Sequence, residues 1–169
     1  MALKSPLVVA EHLRVAADRT NRVLVVDDLE ANGRLMERLL SRDGYSLRIA
    51  RDGQEALNAI EEEQPDVILM DVLMPRLDGF EACRRIKDNP ATRLIPVVLV
   101  TALADTNSRI KGLEVGADDF ISKPFSEPEL RARVRSLLRI KHYTDELDSA
   151  ESVILSLALT IEERDGTTD

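Results

Sequence analysis

The stretch VILMDVLMPRLDG, residues 67–79, carries the most information about the fold. Its first four residues are apolar at odd and even positions alike, which is typical of a strand buried on both faces of a parallel sheet. Asp71 follows this run directly. Pro75 and Gly79 predict a shaped loop, and helical spacing begins at Gly79. The stretch therefore predicts a buried strand with an aspartate at its carboxyl end, followed by a loop and a helix.

The same alternation of apolar runs and helical segments continues in both directions from this stretch. The runs that predict strands are Val23–Val26, Leu47–Ala50, Val67–Met70, Val97–Val100 and Phe120–Ile121. The segments between them that predict helices are Glu30–Arg42, Gly53–Glu63, Gly79–Asp88 and Asn107–Gly116. Strands that alternate with helices in this way predict an α/β fold, with a doubly wound parallel sheet of five strands and helices on both faces.

A long helix is predicted for the C-terminal part of the chain. Ser126 and Glu129 form a capping-box pattern, and the next helix breaker is Asp165-Gly166, so the helix extends over about 38 residues. That length exceeds what a five-stranded sheet can cover. From residue 140 onward the apolar residues recur in alternating steps of three and four, as in a coiled coil. This seam consists of Ile140, Tyr143, Leu147, Ala150, Ile154, Leu157 and Ile161. We therefore expect the seam to pair two copies of the chain in a homodimer.

The composition excludes several classes of protein. The apolar share of 44% and the charged share of 32% are ordinary for a globular protein. With 23 basic and 31 acidic residues, the net charge of −8 disfavours direct binding to nucleic acid. No apolar run approaches the roughly 20 residues of a membrane helix. Cys83 is the single cysteine and has no disulfide partner in the chain, so we expect a cytoplasmic protein. Because of the net charge and the lack of a long apolar run, we expect no direct contact with nucleic acid or with a membrane.

Reactive side chains are concentrated at the carboxyl ends of the predicted strands. They are Asp27 and Asp28 after the first strand, Asp71 after the third, Thr101 after the fourth and Lys123 after the fifth. In a sheet with strand order 2-1-3-4-5 these four strands are neighbours, so the side chains converge on one pocket. Three carboxylates in one pocket repel each other unless a hard cation such as Mg²⁺ lies between them. Asp28, Asp71 and the backbone carbonyl of Leu73 are the predicted ligands, with Lys123 and the Thr101 hydroxyl close by.

Four segments together resemble the signature segments of response-regulator receiver domains, which have a flavodoxin-like fold. The segments are VVDD at 25–28, MDVLMPRLDG at 70–79, VTA at 100–102 and SKPF at 122–125. The resemblance extends over residues 21–142. It implies that a sensor histidine kinase transfers a phosphoryl group to Asp71, the phosphoacceptor, in the presence of Mg²⁺.

The resemblance also implies roles for residues around the phosphoacceptor. Asp27 would assist the metal largely through water, while Thr101 and Lys123 would contact the phosphoryl group. Phe120 occupies the position of a switch aromatic that turns inward together with Thr101. The peptide bond before Pro124 would be cis, an isomer that is rare outside specific structural contexts.

A second resemblance concerns residues 151–165, which are similar to the opening helix of HD-GYP cyclic-di-GMP phosphodiesterase domains. The only histidines, His12 and His142, lack metal-ligand spacing, so the catalytic residues of that family are not expected in this chain. We expect the chain to be a fragment of a receiver–HD-GYP regulator that has no enzymatic activity beyond its own phosphorylation and dephosphorylation. The predicted domain organisation begins with an N-terminal arm at 1–20, with a short helix around Ala10–Ala17. The receiver follows at 21–142. A coiled-coil linker and the start of an output domain follow at 143–164, and a tail at 165–169.

Two other functions remain compatible with the residues. The first is a phosphoaspartate-type phosphatase similar to the haloacid dehalogenases, which also combines Mg²⁺ with an aspartyl phosphate. That family places its nucleophile on the first strand in an Asp-x-Asp pattern, whereas Asp27 and Asp28 are adjacent here. The second is a receiver that serves only for dimerisation. The presence of every expected site residue disfavours this function.

Overall fold

The computed structural model describes residues 20–103 and 105–165, with side chains as far as residue 161. The arm predicted for 1–20, including the short helix around Ala10–Ala17, lies outside the described residues except for Thr20. Residues 166–169 of the predicted tail also lie outside them. The predicted domain boundaries therefore stay predictions.

The centre of the molecule is a parallel five-stranded sheet. Its strands are β1 (Arg22–Val26), β2 (Ser46–Ala50), β3 (Val67–Asp71), β4 (Val97–Thr101) and β5 (Asp119–Ser122). The strand order is β2-β1-β3-β4-β5, which confirms the predicted doubly wound, flavodoxin-like topology. β3 lies in the middle of the sheet, and its apolar residues are almost completely buried, as the apolar run predicted.

Within the described residues, five helices cover the two faces of the sheet. They are α1 (Glu30–Leu40), α2 (Gly53–Glu62), α3 (Gly79–Asp88), α4 (Thr106–Glu114) and α5 (Glu127–Asp165), with a 3₁₀ turn at Ser41–Asp43. One set of strand residues, including Ile68 and Met70, packs against α2 and α3. The alternate set, including Val67 and Leu69, packs against α1 and α5. This alternation explains why the strands are apolar at both parities.

Aspartates define the beginning of three helices. Asp52, Asp78 and Asp105 each accept a hydrogen bond from the backbone N–H three residues later, which satisfies one of the free donors of the helix that follows. Because Asp105 acts in this way, α4 begins at Thr106, one residue before the predicted start. The carboxyl ends of the strands therefore lead into helices whose first turns are fixed by side-chain caps.

The long helix α5 has two differently packed parts. Leu130, Val134 and Leu138 lie in the core beneath β1, β3 and β4. From Ile140 onward, the apolar side chains of the seam are exposed, and Leu147 has 71% of its surface accessible. Packing of α5 onto the sheet thus ends within one turn of residue 140. Among the described ranges, no helix combines the length and apolar character needed to cross a membrane.

Cys83 on α3 should be chemically inert in the folded protein. Its side chain is fully buried, and this burial raises the pKa of the thiol to about 12. Because the thiolate is the reactive form, only about one molecule in ten thousand would be reactive at pH 8 even with free access. We expect alkylation by iodoacetamide to be at least about a hundredfold slower in buffer than in denaturant, because the buried thiol has a much smaller thiolate fraction than the thiol of the unfolded chain. Rapid stoichiometric labelling of the native protein, as measured by mass spectrometry, would contradict the conclusion that Cys83 is unreactive.

Candidate phosphoacceptor site

The structure brings the predicted site residues together at the carboxyl edge of the sheet. Asp27 directly follows β1, and Asp71 is the last residue of β3. Carboxylate oxygens of Asp27, Asp28 and Asp71 all lie within 4.8 Å of one another. Thr101 ends β4, and Lys123 directly follows β5. The order of the strands places these positions side by side, as the sequence predicted.

Asp27 is the most firmly held carboxylate of the three. It is 4% exposed and accepts hydrogen bonds from the Leu29 N–H at 2.9 Å and from Asn32 Nδ2 at 3.0 and 3.2 Å. Lys123 Nζ donates to Asp27 Oδ2 at 3.1 Å. With these partners, Asp27 stays in place at the floor of the site while Asp28 is exposed at its mouth.

Asp71 shares the ammonium group of Lys123 with Asp27. Burial raises the pKa of Asp71, and the nearby Asp27 carboxylate acts in the same direction. Lys123 Nζ, 3.4 Å from Asp71 Oδ2, opposes this effect, and so does the Leu73 N–H, which donates to Asp71 Oδ1 at 3.4 Å. The carboxylate is thus partly desolvated but balanced by one fixed positive charge, and an additional cation would favour its ionised form.

The residues present fit a hard divalent cation. Three carboxylates converge, one of them is exposed, and their oxygens are close enough to share one ion. Mg²⁺ takes oxygen ligands and keeps several waters, so a site with a few protein ligands and an open side suits it. The assignment of the Leu73 carbonyl as a ligand stays a prediction.

The loop between β3 and α3 is tightly constrained. A Cβ atom on Gly79 would lie 2.2 Å from the carbonyl oxygen of Asp71, so no larger residue fits there. The Gly79 N–H also donates to the Val72 carbonyl at 2.9 Å. Arg76 has a φ of 66° and its guanidinium forms an ion pair with Asp52. The loop that follows Asp71 is thus fixed at its end and in its middle.

The predicted switch residues lie next to the site. Thr101 is fully buried, and its hydroxyl oxygen accepts a hydrogen bond from the Leu103 N–H at 3.2 Å. Phe120 is half-buried on β5, and the guanidinium of Arg109 lies over its ring, 5.4 Å from the centroid. The Lys123–Pro124 peptide bond is cis, the isomer that the resemblance implies. The switch role of Thr101 and Phe120 stays a prediction.

Sequence reasoning missed three residues that support the site. Asn32, on the first turn of α1, holds the Asp27 carboxylate. Arg76 and Asp52 join the loop after β3 to the beginning of α2. The position of Asn32 one helical turn after Asp28 was a usable signal, since residues in the first turn of a helix face the strand end that precedes it. No local pattern connects Asp52 with Arg76.

Comparison with known proteins agrees with the geometry. The family model described as response regulator receiver domain matches residues 23–135. Response regulator PleD of Caulobacter vibrioides is 53% identical over 131 residues, 78% of this chain and 29% of PleD. Response regulator MprA of Mycobacterium avium is 44% identical over 137 residues, 81% of this chain and 58% of MprA. The chain therefore spans less than two thirds of the length of these relatives.

Solved structures give the same result for the fold. The receiver domain of a signal transduction histidine kinase from Syntrophus aciditrophicus has a TM-score of 0.68 at 38% identity, covering 71% of this chain and 91% of that chain. The receiver domain of Francisella response regulator 1452 has a TM-score of 0.66 at 35% identity, covering 71% of this chain and 98% of that chain. Since the family model, the relatives and the acidic pocket at the sheet edge all agree, the chain belongs to the response regulator receiver domain family.

Proposed function

We propose that this receiver accepts a phosphoryl group from a sensor histidine kinase on Asp71 and transmits the change through a dimeric helical linker to an output domain. The observation that carries the phosphoacceptor assignment is the position of Asp71. It ends the central strand, its carboxylate lies within reach of Asp27 and Asp28, and Lys123 is 3.4 Å away. Asp27 also follows a strand and contacts Lys123, but it is 4% exposed and both of its carboxylate oxygens already accept hydrogen bonds from Asn32.

The reaction is an in-line displacement on phosphorus. An Asp71 oxygen forms the new P–O bond while the P–N bond to the kinase histidine breaks, and the leaving imidazole nitrogen keeps the electron pair and takes up a proton. Lys123 can move from the carboxylates onto the phosphoryl oxygens and offset their charge. The Thr101 hydroxyl, whose oxygen accepts the Leu103 N–H, can donate its proton to one of these oxygens.

Asp28, Asp71 and the Leu73 carbonyl would hold Mg²⁺, with Asp27 assisting largely through water. When bound, the cation neutralises negative charge that develops on the transferred group. The protein's own contribution is positioning, because Asp27 is fixed by Asn32 and Lys123 before any ligand enters. This arrangement lowers the reorganisation needed when the phosphodonor arrives.

A phosphodonor experiment tests this function and distinguishes it from a phosphatase. The protein is incubated with Mg²⁺ and acetyl phosphate, and both the protein mass and the release of inorganic phosphate are measured. A receiver takes one phosphoryl group per chain and releases phosphate slowly. Release of many phosphate molecules per chain per minute with little labelled protein would indicate the phosphatase instead. Absence of labelling in every condition would indicate a receiver that serves only for dimerisation.

The phosphorylated state should be long-lived because the residues two positions after Asp71 and two positions after Thr101 are apolar. Loss of the phosphoryl group needs a water in line with the P–O bond. Leu73, two residues after Asp71, and Leu103, two residues after Thr101, cannot hydrogen-bond to such a water. We expect Leu73→Asn to shorten the half-life of the phosphorylated protein severalfold, as followed by intact-mass decay after removal of the donor. Leu35→Asn, a change at an exposed position on α1, is the control and should leave decay unchanged. Equal decay of the wild type and Leu73→Asn would contradict the proposal.

The seam on α5 supports the dimeric linker. Isoleucine fills three of the four a positions, at 140, 154 and 161, with Leu147 at the fourth. β-Branched residues at a favour two parallel strands. All these side chains are more than half exposed in the single chain, which makes them an apolar surface in need of a partner. A parallel coil would place two receivers at one end and two output domains at the other.

We infer that the output domain is of the HD-GYP cyclic-di-GMP phosphodiesterase type, from the resemblance of residues 151–165 to the opening helix of that family. Sequencing of the complete gene, followed by a search for the His-Asp and Gly-Tyr-Pro motifs after residue 169, tests this inference. A different output domain would refute it without affecting the receiver.

We also place the protein in the cytoplasm, where sensor kinases present their phosphohistidine, and propose no direct contact with nucleic acid or membrane.

A further inference from the structure

The loop that follows the phosphoacceptor is held against a second helix. Arg76, in the middle of this loop, forms an ion pair with Asp52 at the N-terminus of α2. At the next residue, a Cβ atom on Gly53 would lie 2.8 Å from the carbonyl oxygen of Leu77. The loop backbone thus lies directly on the first turn of α2. We refer to the Arg76–Asp52 ion pair together with the Gly53–Leu77 contact as the loop latch.

Asp52 does not need Arg76 to begin its helix. Its side chain is 2% exposed, and one carboxylate oxygen already accepts the Glu55 N–H at 2.9 Å as an N-cap. That backbone hydrogen bond is the largest influence that lowers the pKa of Asp52, ahead of the contribution of Arg76. The ion pair uses the other oxygen. Its main consequence therefore falls on the loop rather than on α2.

Arg76 also has an unfavourable backbone conformation. Its φ of 66° lies in the left-handed region, which side chains other than Gly, Asn and Asp seldom adopt. A residue in that region persists where its surroundings hold it there, and such residues cluster at functional sites. Here the surroundings are the loop latch on one side and the close approach of Gly79 to Asp71 on the other.

The held segment includes a proposed cation ligand. Leu73 lies three residues before Arg76, and its N–H already contacts the Asp71 carboxylate at 3.4 Å. Its side chain is 57% exposed, so packing of the leucine itself contributes little to its position. Leu73 lies between the end of β3 and Arg76, so the position of its carbonyl depends on how these two points are held.

We propose that Arg76 is a positioning residue for the cation site. Through its ion pair with Asp52, it holds the loop after β3 so that the Leu73 carbonyl and the Asp71 carboxylate face the same ion. This inference rests on the proposed function, because it assumes that Mg²⁺ binds beside Asp71. It adds two residues, Arg76 and Asp52, that touch neither the ion nor the phosphoryl group.

The variant Arg76→Gly separates positioning from simple stabilisation. Glycine adopts a positive φ without strain but has no side chain for the ion pair. Mg²⁺ affinity is measured by isothermal titration calorimetry without phosphodonor, and stability is measured by urea denaturation. We expect affinity to fall by about tenfold, as is usual when a residue that supports a metal ligand is removed. The denaturation midpoint should stay close to that of the wild type.

Asp52→Ser provides the matched change on the other side of the ion pair. Serine can still accept the Glu55 N–H as an N-cap but cannot pair with Arg76. We expect a similar loss of Mg²⁺ affinity, and no further loss when both changes are combined. Arg84→Met is the control, since Arg84 is exposed on α3 and its ion pairs in the described part of the chain are with Glu81 and Asp88, away from the loop after β3. It should bind Mg²⁺ as the wild type does.

The outcomes distinguish this inference from the function on which it rests. If the wild type binds Mg²⁺ and Asp28→Ala weakens binding while Arg76→Gly does not, the cation site stands and the positioning role of Arg76 is wrong. Additive losses in the double variant would likewise overturn the role of the ion pair. If the wild type binds no Mg²⁺, both the cation site and the inference are wrong.

Discussion

Asp71→Asn should fold like the wild type and take up no phosphoryl group from acetyl phosphate or from a phosphorylated kinase. Asparagine has nearly the same shape as aspartate, and Asp71 lies at the strand end where a neutral amide can be accommodated. An amide cannot form the acyl phosphate, so the reaction is lost rather than slowed. Intact-mass spectrometry after incubation with Mg²⁺ and donor measures the result, and circular dichroism verifies folding. We expect full labelling of the wild type and no detectable labelling of the variant.

The matched change is Asp28→Ala, which removes a carboxylate from the same pocket but leaves the proposed phosphoacceptor. This variant should still be labelled, at a rate reduced at subsaturating Mg²⁺ and partly restored at high Mg²⁺. A stoichiometric phosphoryl group on Asp71→Asn would mean that another side chain is the acceptor. Complete loss of labelling in Asp28→Ala, even at high Mg²⁺, would mean that the roles of the two aspartates are wrongly divided.

Leu147→Glu should convert the protein from a dimer to a monomer while phosphorylation persists. Leu147 lies at the centre of the seam on α5 and is 71% exposed in the single chain. In the proposed coil it packs against its counterpart, so the change removes two buried leucines, at about 1.5–3 kcal/mol each, and opposes two carboxylates. The dissociation constant of the dimer should rise by at least about a hundredfold, as expected for a loss of association free energy of that size. Sedimentation velocity at tens of micromolar measures it, with labelling of Asp71 as the test of an intact receiver.

Leu159→Glu is the control for the seam. Leu159 is apolar and 63% exposed, but it lies on the flank of α5 opposite to the line of Leu147, Ile154 and Ile161. A coil of two helices leaves it in solvent, so the change should leave the dimer intact. If both glutamate variants weaken association equally, the contact is not the proposed seam. A wild-type monomer at these concentrations, with and without phosphodonor, would exclude the dimeric linker.

The sheet and the placement of the site could be predicted from the sequence because both depend on strong local patterns. Val67–Met70 is apolar at every position, and the structure buries every one of these residues between helices on the two faces. Strands of one parallel sheet end at the same edge, so the positions of Asp27 and Asp71 followed from the strand ends alone. Helix boundaries were less accurate. The first predicted helix extended to Arg42, whereas α1 ends at Leu40 and continues as a 3₁₀ turn.

The contact between the loop after β3 and the first turn of α2 could not be predicted because it joins side chains that are distant in sequence. Arg76 meets Asp52 across 24 residues. Such pairs depend on the path of the loops and on side-chain rotamers, which leave no periodic signal. The left-handed conformation of Arg76 was equally hidden, since arginine gives no turn signal comparable to glycine or asparagine. The sequence thus predicts which groups react, and the structure adds what holds them in place.

The most direct test of the central claim is to locate the phosphoryl group on the wild-type chain. The protein is labelled with acetyl phosphate in Mg²⁺ or in excess chelator, the acyl phosphate is trapped by reduction with borohydride, and the peptides are sequenced by mass spectrometry. We predict one modified residue, Asp71, in the sample with Mg²⁺, and no modified residue in the sample with chelator. Modification of Asp27, Asp28 or any other residue in place of Asp71, or equal modification without the cation, would contradict the account.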